Sequence, residues 1–225
     1  MARNTERFNS ARHALIDQHG VDVEIISADL VTDDGCAKVA ARLSDTDRPV
    51  DVLVNNAGLG IYQRFGSADL AYEERQLDLN VRAVMRLSHA AVRAMTARGS
   101  GEIINVSSVA GFVPRRHNVT YSASKAWVTM FTEALALSLD GTGVRAIVIC
   151  PGFARTEFHE RAGVDMSRVP DWMWLDADDV VATALADARR GKPLSVPSAR
   201  YKTLIGAARL TPRPVLYRIL RRVSL

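Results

Sequence analysis

The chain is poor in cysteine: Cys36 and Cys150 are the two among its 225 residues. Two thiols make neither a disulfide framework nor a Cys-rich zinc site, so a reduced, cytoplasmic setting is expected and no metal is implied. Long apolar runs are missing too, since none approaches the roughly 18 residues that cross a bilayer. The opening Met1-Ala2-Arg3-Asn4-Thr5-Glu6-Arg7 has no apolar core behind its charges, so no secretory signal is expected. Internal repeats, low-complexity tracts and linkers are lacking, which favours one domain. What is present is ordinary for a globular chain: 48% hydrophobic and 24% charged residues, with 14 Gly and 8 Pro. That composition excludes whole-chain disorder, collagen and coiled coil.

Acidic residues are missing from one stretch. Ten of the 29 Lys and Arg, and none of the 25 Asp and Glu, lie from Arg189 onward, which leaves 19 basic against 25 acidic groups before it. A basic end invites a nucleic-acid or membrane-surface reading. Its charges alternate with Leu204, Ile205, Leu210, Val215, Leu216, Ile219 and Leu220, which favours a partly packed helix pair. No nucleic acid is expected as a partner, and weak contact with a membrane surface is the alternative. Pro212 and Pro214 are expected to break this segment in two.

The remainder reads as alternating helix and strand. A helix from Thr5 stops at Gly20, and Val21 to Ala28 follows as a strand. Asp33 and Asp34 are candidate caps of a second helix with Val39, Ala40 and Leu43 on its apolar face. Val50 to Val54 is a strand ending in Asn55-Asn56-Ala57-Gly58. A long helix runs from about Asp69 to Arg98, with Leu77, Val81, Val84, Ser88, Ala91 and Met95 at 3/4 spacing. Glu102 to Val106 and Val144 to Cys150 are strands flanking a helix from about Tyr121 to Asp140. A helix from Asp176 and a short strand at Leu194-Ser195-Val196 complete the pattern. Short apolar strands separated by helices indicate a doubly wound, Rossmann-like α/β fold with a parallel sheet.

Ligands of such sheets bind beyond the carboxyl ends of the strands. Asp29-Leu30, Asn55-Asn56-Ala57-Gly58, Ser107-Ser108 and Pro151-Gly152 all fall there. Lys125 lies one helical turn after Tyr121, and an ammonium beside a phenol lowers its pKa. Tyr121 is then a candidate general acid/base for interconverting alcohol and carbonyl, with the Ser108 hydroxyl sharing the charge that develops on oxygen.

The set Asn55-Asn56-Ala57-Gly58, Asn80, Ser108, Tyr121-x-x-x-Lys125 and Pro151-Gly152 resembles the single-domain short-chain dehydrogenase/reductases, from Met1 to about Val196. The resemblance implies a tetrad of Asn80, Ser108, Tyr121 and Lys125. Tyr121 would pass the proton and Ser108 would hold the substrate oxygen. Lys125 would lower the Tyr121 pKa and bind the nicotinamide ribose, and Asn80 would hold a relay water at a distortion in the long helix. It also implies cofactor contacts from Asp29 and Leu30 at the adenine, from Asn56, Ala57 and Gly58 along the adenosine, and from Pro151, Gly152 and Thr156 at the nicotinamide. Arg3 falls where a base would meet a 2′-phosphate, so NADP is expected ahead of NAD. The family's tendency to pair through its two long helices makes a homo-oligomer the expected state.

One family feature is missing. No T-G-x-x-x-G-x-G run occurs among the 14 glycines, so the turn that brings backbone N–H groups to the pyrophosphate is absent, with the first strand. Residues 1–196 therefore read as an incomplete dehydrogenase domain and 197–225 as a basic helical segment. Either the 225 residues belong to a longer product, or they form a truncated protein that binds dinucleotide weakly.

Phe153, Phe158, Val164, Met166, Val169, Trp172, Met173 and Trp174 follow Pro151-Gly152 and read either as an apolar substrate lid or as ordinary helix packing. Arg115, Arg116 and His117 read as a charged loop beside the substrate or as solvated charge. Three functions compete: an NADP-dependent oxidoreductase of an apolar alcohol or ketone, a catalytically impaired relative acting as a binding or assembly module, and a sugar-nucleotide epimerase or dehydratase sharing Tyr-x-x-x-Lys. The short C-terminal part disfavours the last.

Overall fold

Short β-branched runs pair side by side in the computed structural model, which describes residues 5–60, 63–158 and 169–222. The strands are β1 (Val52–Asn55), β2 (Gly101–Val106), β3 (Val144–Ile149), β4 (Phe153–Ala154), β5 (Trp174–Leu175) and β6 (Leu194–Ser195). Four form one parallel sheet in the order β1-β2-β3-β6, and β4 pairs with β5 apart from it. The helices are α1 (Thr5–His19), α2 (Asp33–Leu43), α3 (Leu70–Leu77), α4 (Val84–Arg98), α5 (Val119–Ser138), α6 (Ala177–Arg189), α7 (Ala199–Leu210) and α8 (Arg213–Arg222).

Alternation along each strand supplies both faces of the sheet. Leu53, Ile103 and Ala146 turn toward Leu87, Ala91 and Met95 of α4. Ile104, Ile147 and Ile149 meet Ala184 and Ala188 of α6 on the other face. The expected doubly wound α/β architecture is therefore present.

Several local expectations need correction. Val21 to Ala28 forms no strand. A strand needs a neighbour to satisfy its backbone, and among the described residues no strand pairs with this segment or with the outer edge of β1. Side chains of α2 hold the segment instead: Lys38 Nζ donates to Ser27 O, and Arg42 bonds Glu24. The cap of α2 is Thr32, whose hydroxyl accepts from Gly35 N, while Asp33 and Asp34 occupy the first turn. The long helix is split into α3 and α4 by a π-helical turn over Asp78–Ala83. In the basic segment the break falls at Thr211-Pro212, and Pro214 sits in the first turn of α8, where its missing N–H costs nothing.

One face of β1 is bare. Val52 and Val54 are 47% and 53% exposed, because α6 covers β2 and β3 and stops short of them. The two faces should respond unequally to truncation. Ile103→Ala is expected to lower the unfolding free energy by about 2–5 kcal/mol, whereas Val54→Ala should cost less than about 1 kcal/mol in the same urea titration.

Candidate active site

The site is built where α5 crosses the carboxyl ends of β2 and β3. Helix α5 opens two residues earlier than the tyrosine, after Asn118 in the left-handed conformation (φ 61°), which Asn tolerates better than most residues. Tyr121 and Lys125 then stand one turn apart, with Lys125 Nζ 5.7 Å from the Tyr121 ring centre. Lys125 is buried and donates to Val106 O at 2.8 Å. Ser107, expected at a strand end but given no role there, returns a bond from its hydroxyl to Lys125 O at 2.6 Å.

Ser108 caps the 3-10 turn Val109–Phe112, its Oγ accepting from Ala110 N at 3.1 Å. With that lone pair engaged, its own O–H is available to donate, and the hydroxyl lies near enough to the Tyr121 phenol to draw its pKa down. Asn80 lies inside the π-helical turn, buried, with both ends of its carboxamide on Leu59: Oδ1 accepts from Leu59 N and Nδ2 donates to Leu59 O, each at 2.8 Å. Nδ2 also approaches Ser124 Oγ at 3.3 Å. A β-carbon at Gly58 would sit 3.4 Å from Asn80 Oδ1 and 3.7 Å from Lys125 Nζ. Asn80, Ser108, Tyr121, Lys125 and Gly58 thus converge.

The other expected contacts are distributed around this centre. Pro151 O accepts from Val109 N at 3.0 Å, which joins the end of β3 to the Ser108 turn. Gly152 lies so close to the Tyr201 ring that a β-carbon would stand 2.1 Å from it. Tyr201, buried on α7, accepts from Phe153 N and donates to Met173 O; this anchor was not anticipated. Asn56 and Ala57 are exposed beyond β1. Asp29 shapes the turn into α2, its Oδ1 accepting from Val31 N, and Leu30 is half-buried against the α2 and α4 core. Thr156 is exposed and bonds Phe158 N. Arg3, Val164 and Met166 lie outside the described residues. Phe158 reaches the centre, its ring 5.8 Å from that of Tyr121, and Arg115 lies 6.0 Å over the Phe153 ring.

Burial pushes the Tyr121 phenol up to about 12, against the pull of the Ser108 hydroxyl and the Arg115 charge. Burial also brings the Lys125 ammonium down to about 8, resisted by Cys150. The expected lowering of the phenol by its lysine is therefore overturned in the protein alone. Desolvation penalises both charged forms and outweighs the Ser108 and Arg115 pull on the phenol.

The description "short chain dehydrogenase" matches residues 1–166. Sulfoacetaldehyde reductase 2 of Chromohalobacter salexigens is 33% identical over 188 residues, covering 82% of this chain and 73% of its own. The ketoacyl reductase HetN of Nostoc sp. is 41% identical over 112 residues, half of this chain and 39% of that protein. The short-chain dehydrogenase from Sphingobium yanoikuyae, solved in complex with NADPH, superposes with a TM-score of 0.83 at 32% identity, covering 92% of this chain and 82% of that one. The chain belongs to the short-chain dehydrogenase/reductase family. The match to HetN spans well under half of that relative's length.

The shifted lysine has a measurable consequence. Between about pH 8 and its ordinary value of 10.5, the unfolded chain holds a proton on Lys125 that the folded chain has lost, so stability rises with pH. Cys150, pushed from 9.0 up to about 11 by burial, works in the opposite sense from pH 9 upward. Urea midpoints should therefore climb from pH 8 to pH 9, and this rise should vanish in Lys125→Met.

Proposed function

We propose that the chain is an NADP(H)-dependent oxidoreductase interconverting an apolar ketone and its alcohol. The observation that carries this reading is the convergence of the Tyr121 phenol, the Ser108 hydroxyl and the Lys125 ammonium at the strand ends. NADPH, when bound, supplies the hydride. Lys125 has three N–H groups and spends one on Val106 O, so the donor set fits the nicotinamide ribose. Tyr121, Pro151 and Gly152 would border the same half of the dinucleotide. For the pyrophosphate, the described residues contain no glycine-rich turn at a helix N-terminus.

A phenol held near 12 is a proton donor at neutral pH, which suits carbonyl reduction. Ser108 donates to the substrate oxygen, Tyr121 gives its proton to that oxygen, and the Lys125 charge stabilises the phenolate left behind. Phe158 and Phe153 present apolar surface to the substrate. Asn80 holds the Leu59 backbone and thereby the loop carrying Gly58. The NADPH complex of the Sphingobium yanoikuyae relative supports the choice of NADP, together with Arg3 in the sequence. Exposed Met85 on α4 and Met130 and Leu137 on α5 support pairing through the long helices.

A second reading, a relative without turnover that serves as a binding or assembly module, draws on the bare edge of β1 and exposed Val52 and Val54. NADPH fluorescence separates the two, since the module reading predicts no change on adding protein. For the oxidoreductase, Tyr121→Phe should cut the rate of NADPH-dependent ketone reduction at least about tenfold with NADPH binding retained. A smaller loss would overturn the tetrad. The wild-type rate should fall as pH rises through about 8, as Lys125 loses its proton. Arg3→Glu should shift preference toward NADH by about tenfold or more in the ratio of kcat/KM values.

A further inference from the structure

Helix α8 reads Arg-Pro-Val-Leu-Tyr-Arg-Ile-Leu-Arg-Arg over residues 213–222. At 3.6 residues per turn, Val215, Leu216, Ile219 and Leu220 share one arc, and Arg218 and Arg221 fall opposite it. Leu216 and Leu220 are half-buried, while Val215 and Ile219, one turn apart, are 47% and 49% exposed. The apolar arc is thus only half used by the fold.

The helix is fastened in place. Arg116 donates to Arg221 O at 3.2 Å. The preceding helix α7 is anchored by buried Tyr201 and by Arg209, which lies 4.8 Å over the Phe112 ring. Leu204 and Leu210 on α7 are also exposed. No carboxylate among the described residues lies within ion-pairing distance of Arg213, Arg218 or Arg221, and the sequence from Arg189 onward contains no Asp or Glu.

We propose that α8 docks this protein on an anionic bilayer surface. Apolar residues beside unpaired arginines on a short, strongly amphipathic helix match an interface with acyl chains on one side and anionic headgroups on the other. Val215 and Ile219 enter the acyl boundary, and the arginines stay with the headgroups. A second copy of the same segment is a poorer partner, because it would bring like charges together. A nucleic acid would satisfy the arginines and leave the apolar edge in water. Arg116 stands five residues before Tyr121, so on the oxidoreductase reading α8 borders the loop leading into the site, suited to an apolar substrate carried in the bilayer.

The test uses the full chain and needs no turnover, so it stands or falls apart from the catalytic reading. Flotation with phosphatidylcholine vesicles containing about a third phosphatidylglycerol should carry the protein upward at low ionic strength. Phosphatidylcholine alone should not, and high salt should weaken binding by about tenfold or more. Val215→Glu with Ile219→Glu should lower binding by about tenfold or more, with circular dichroism and the urea midpoint unchanged, because both side chains are exposed. Arg218→Glu with Arg221→Glu should do the same. Absence of flotation on anionic vesicles at low salt, or equal flotation on phosphatidylcholine, would overturn the proposal. So would binding that survives Val215→Glu with Ile219→Glu, or a sedimentation shift from dimer to monomer on that change, which would assign the apolar edge to a second copy.

Discussion

Two hydrogen bonds running in opposite directions hold the catalytic helix on the sheet. Lys125 Nζ donates to Val106 O, and the Ser107 hydroxyl donates to Lys125 O. A buried ammonium is costly unless it finds an acceptor, so this pair of bonds leaves α5 one translational setting against the end of β2. The turn after β2 follows the same constraint. At Gly111 a β-carbon would stand 2.7 Å from Ala126 N and 2.8 Å from Lys125 C, so only glycine lets the Ser108 turn lie directly on the α5 backbone. Ser108 meets Tyr121 because of that approach. The proton-transfer geometry is therefore a packing consequence of Lys125, Ser107 and Gly111 together.

A second buried polar chain fixes the sheet beneath the site. Asn55 Nδ2 donates to Asn105 Oδ1 at 2.8 Å and to Ser88 Oγ at 3.2 Å, and Asn105 Nδ2 donates to Thr132 Oγ1 at 2.9 Å. The chain runs from α4 through β1 and β2 to α5. Amides in a low-dielectric interior tolerate no partial satisfaction, so the network opposes any slip of β1 against β2. Asn55 faces Asn105 in the observed register. This explains how β1 keeps its alignment with one edge unpaired, and why the loop that follows it delivers Gly58 to Asn80 and Lys125.

What could be read from the chain in advance was whatever is local. Tyr121 and Lys125 at four-residue spacing and glycine and asparagine at strand ends were visible, because each is a property of a few adjacent residues; the distortion at Asn80 came only through the family resemblance. The strand expected over Val21 to Ala28 failed for the opposite reason: its apolar run is intact, but a strand exists only with a neighbour. The direction of the Tyr121 shift failed similarly, since spacing reports the nearby ammonium and only the folded structure reports desolvation. Asn105 and Tyr201 were missed, and Ser107 was placed at its strand end without its role, although Asn105 left a trace. A polar residue inside an apolar strand, as Asn105 in Gly-Glu-Ile-Ile-Asn-Val, is expensive enough to signal a buried network.

The two halves of the site rest on different supports. The bonds that place Ser108, Tyr121 and Lys125 come from β2, β3 and α5, and none involves residues 21–29 or the outer edge of β1. The segment just after Asp29 and Leu30, the residues expected at the adenine end, is held by the π-helical turn and α4: Arg82 donates to Val31 O and, with Arg86, bonds Asp33. On the oxidoreductase reading, a change at Val52 and Val54 would bear on the dinucleotide's adenosine half rather than on proton transfer. On that reading, the hold on the adenosine half and the transfer of the proton rest on separate parts of this fold, while the nicotinamide half shares its residues with proton transfer. A change at the β1 edge should be felt first in the former, because the buried lysine and the serine beside it take no support from that side.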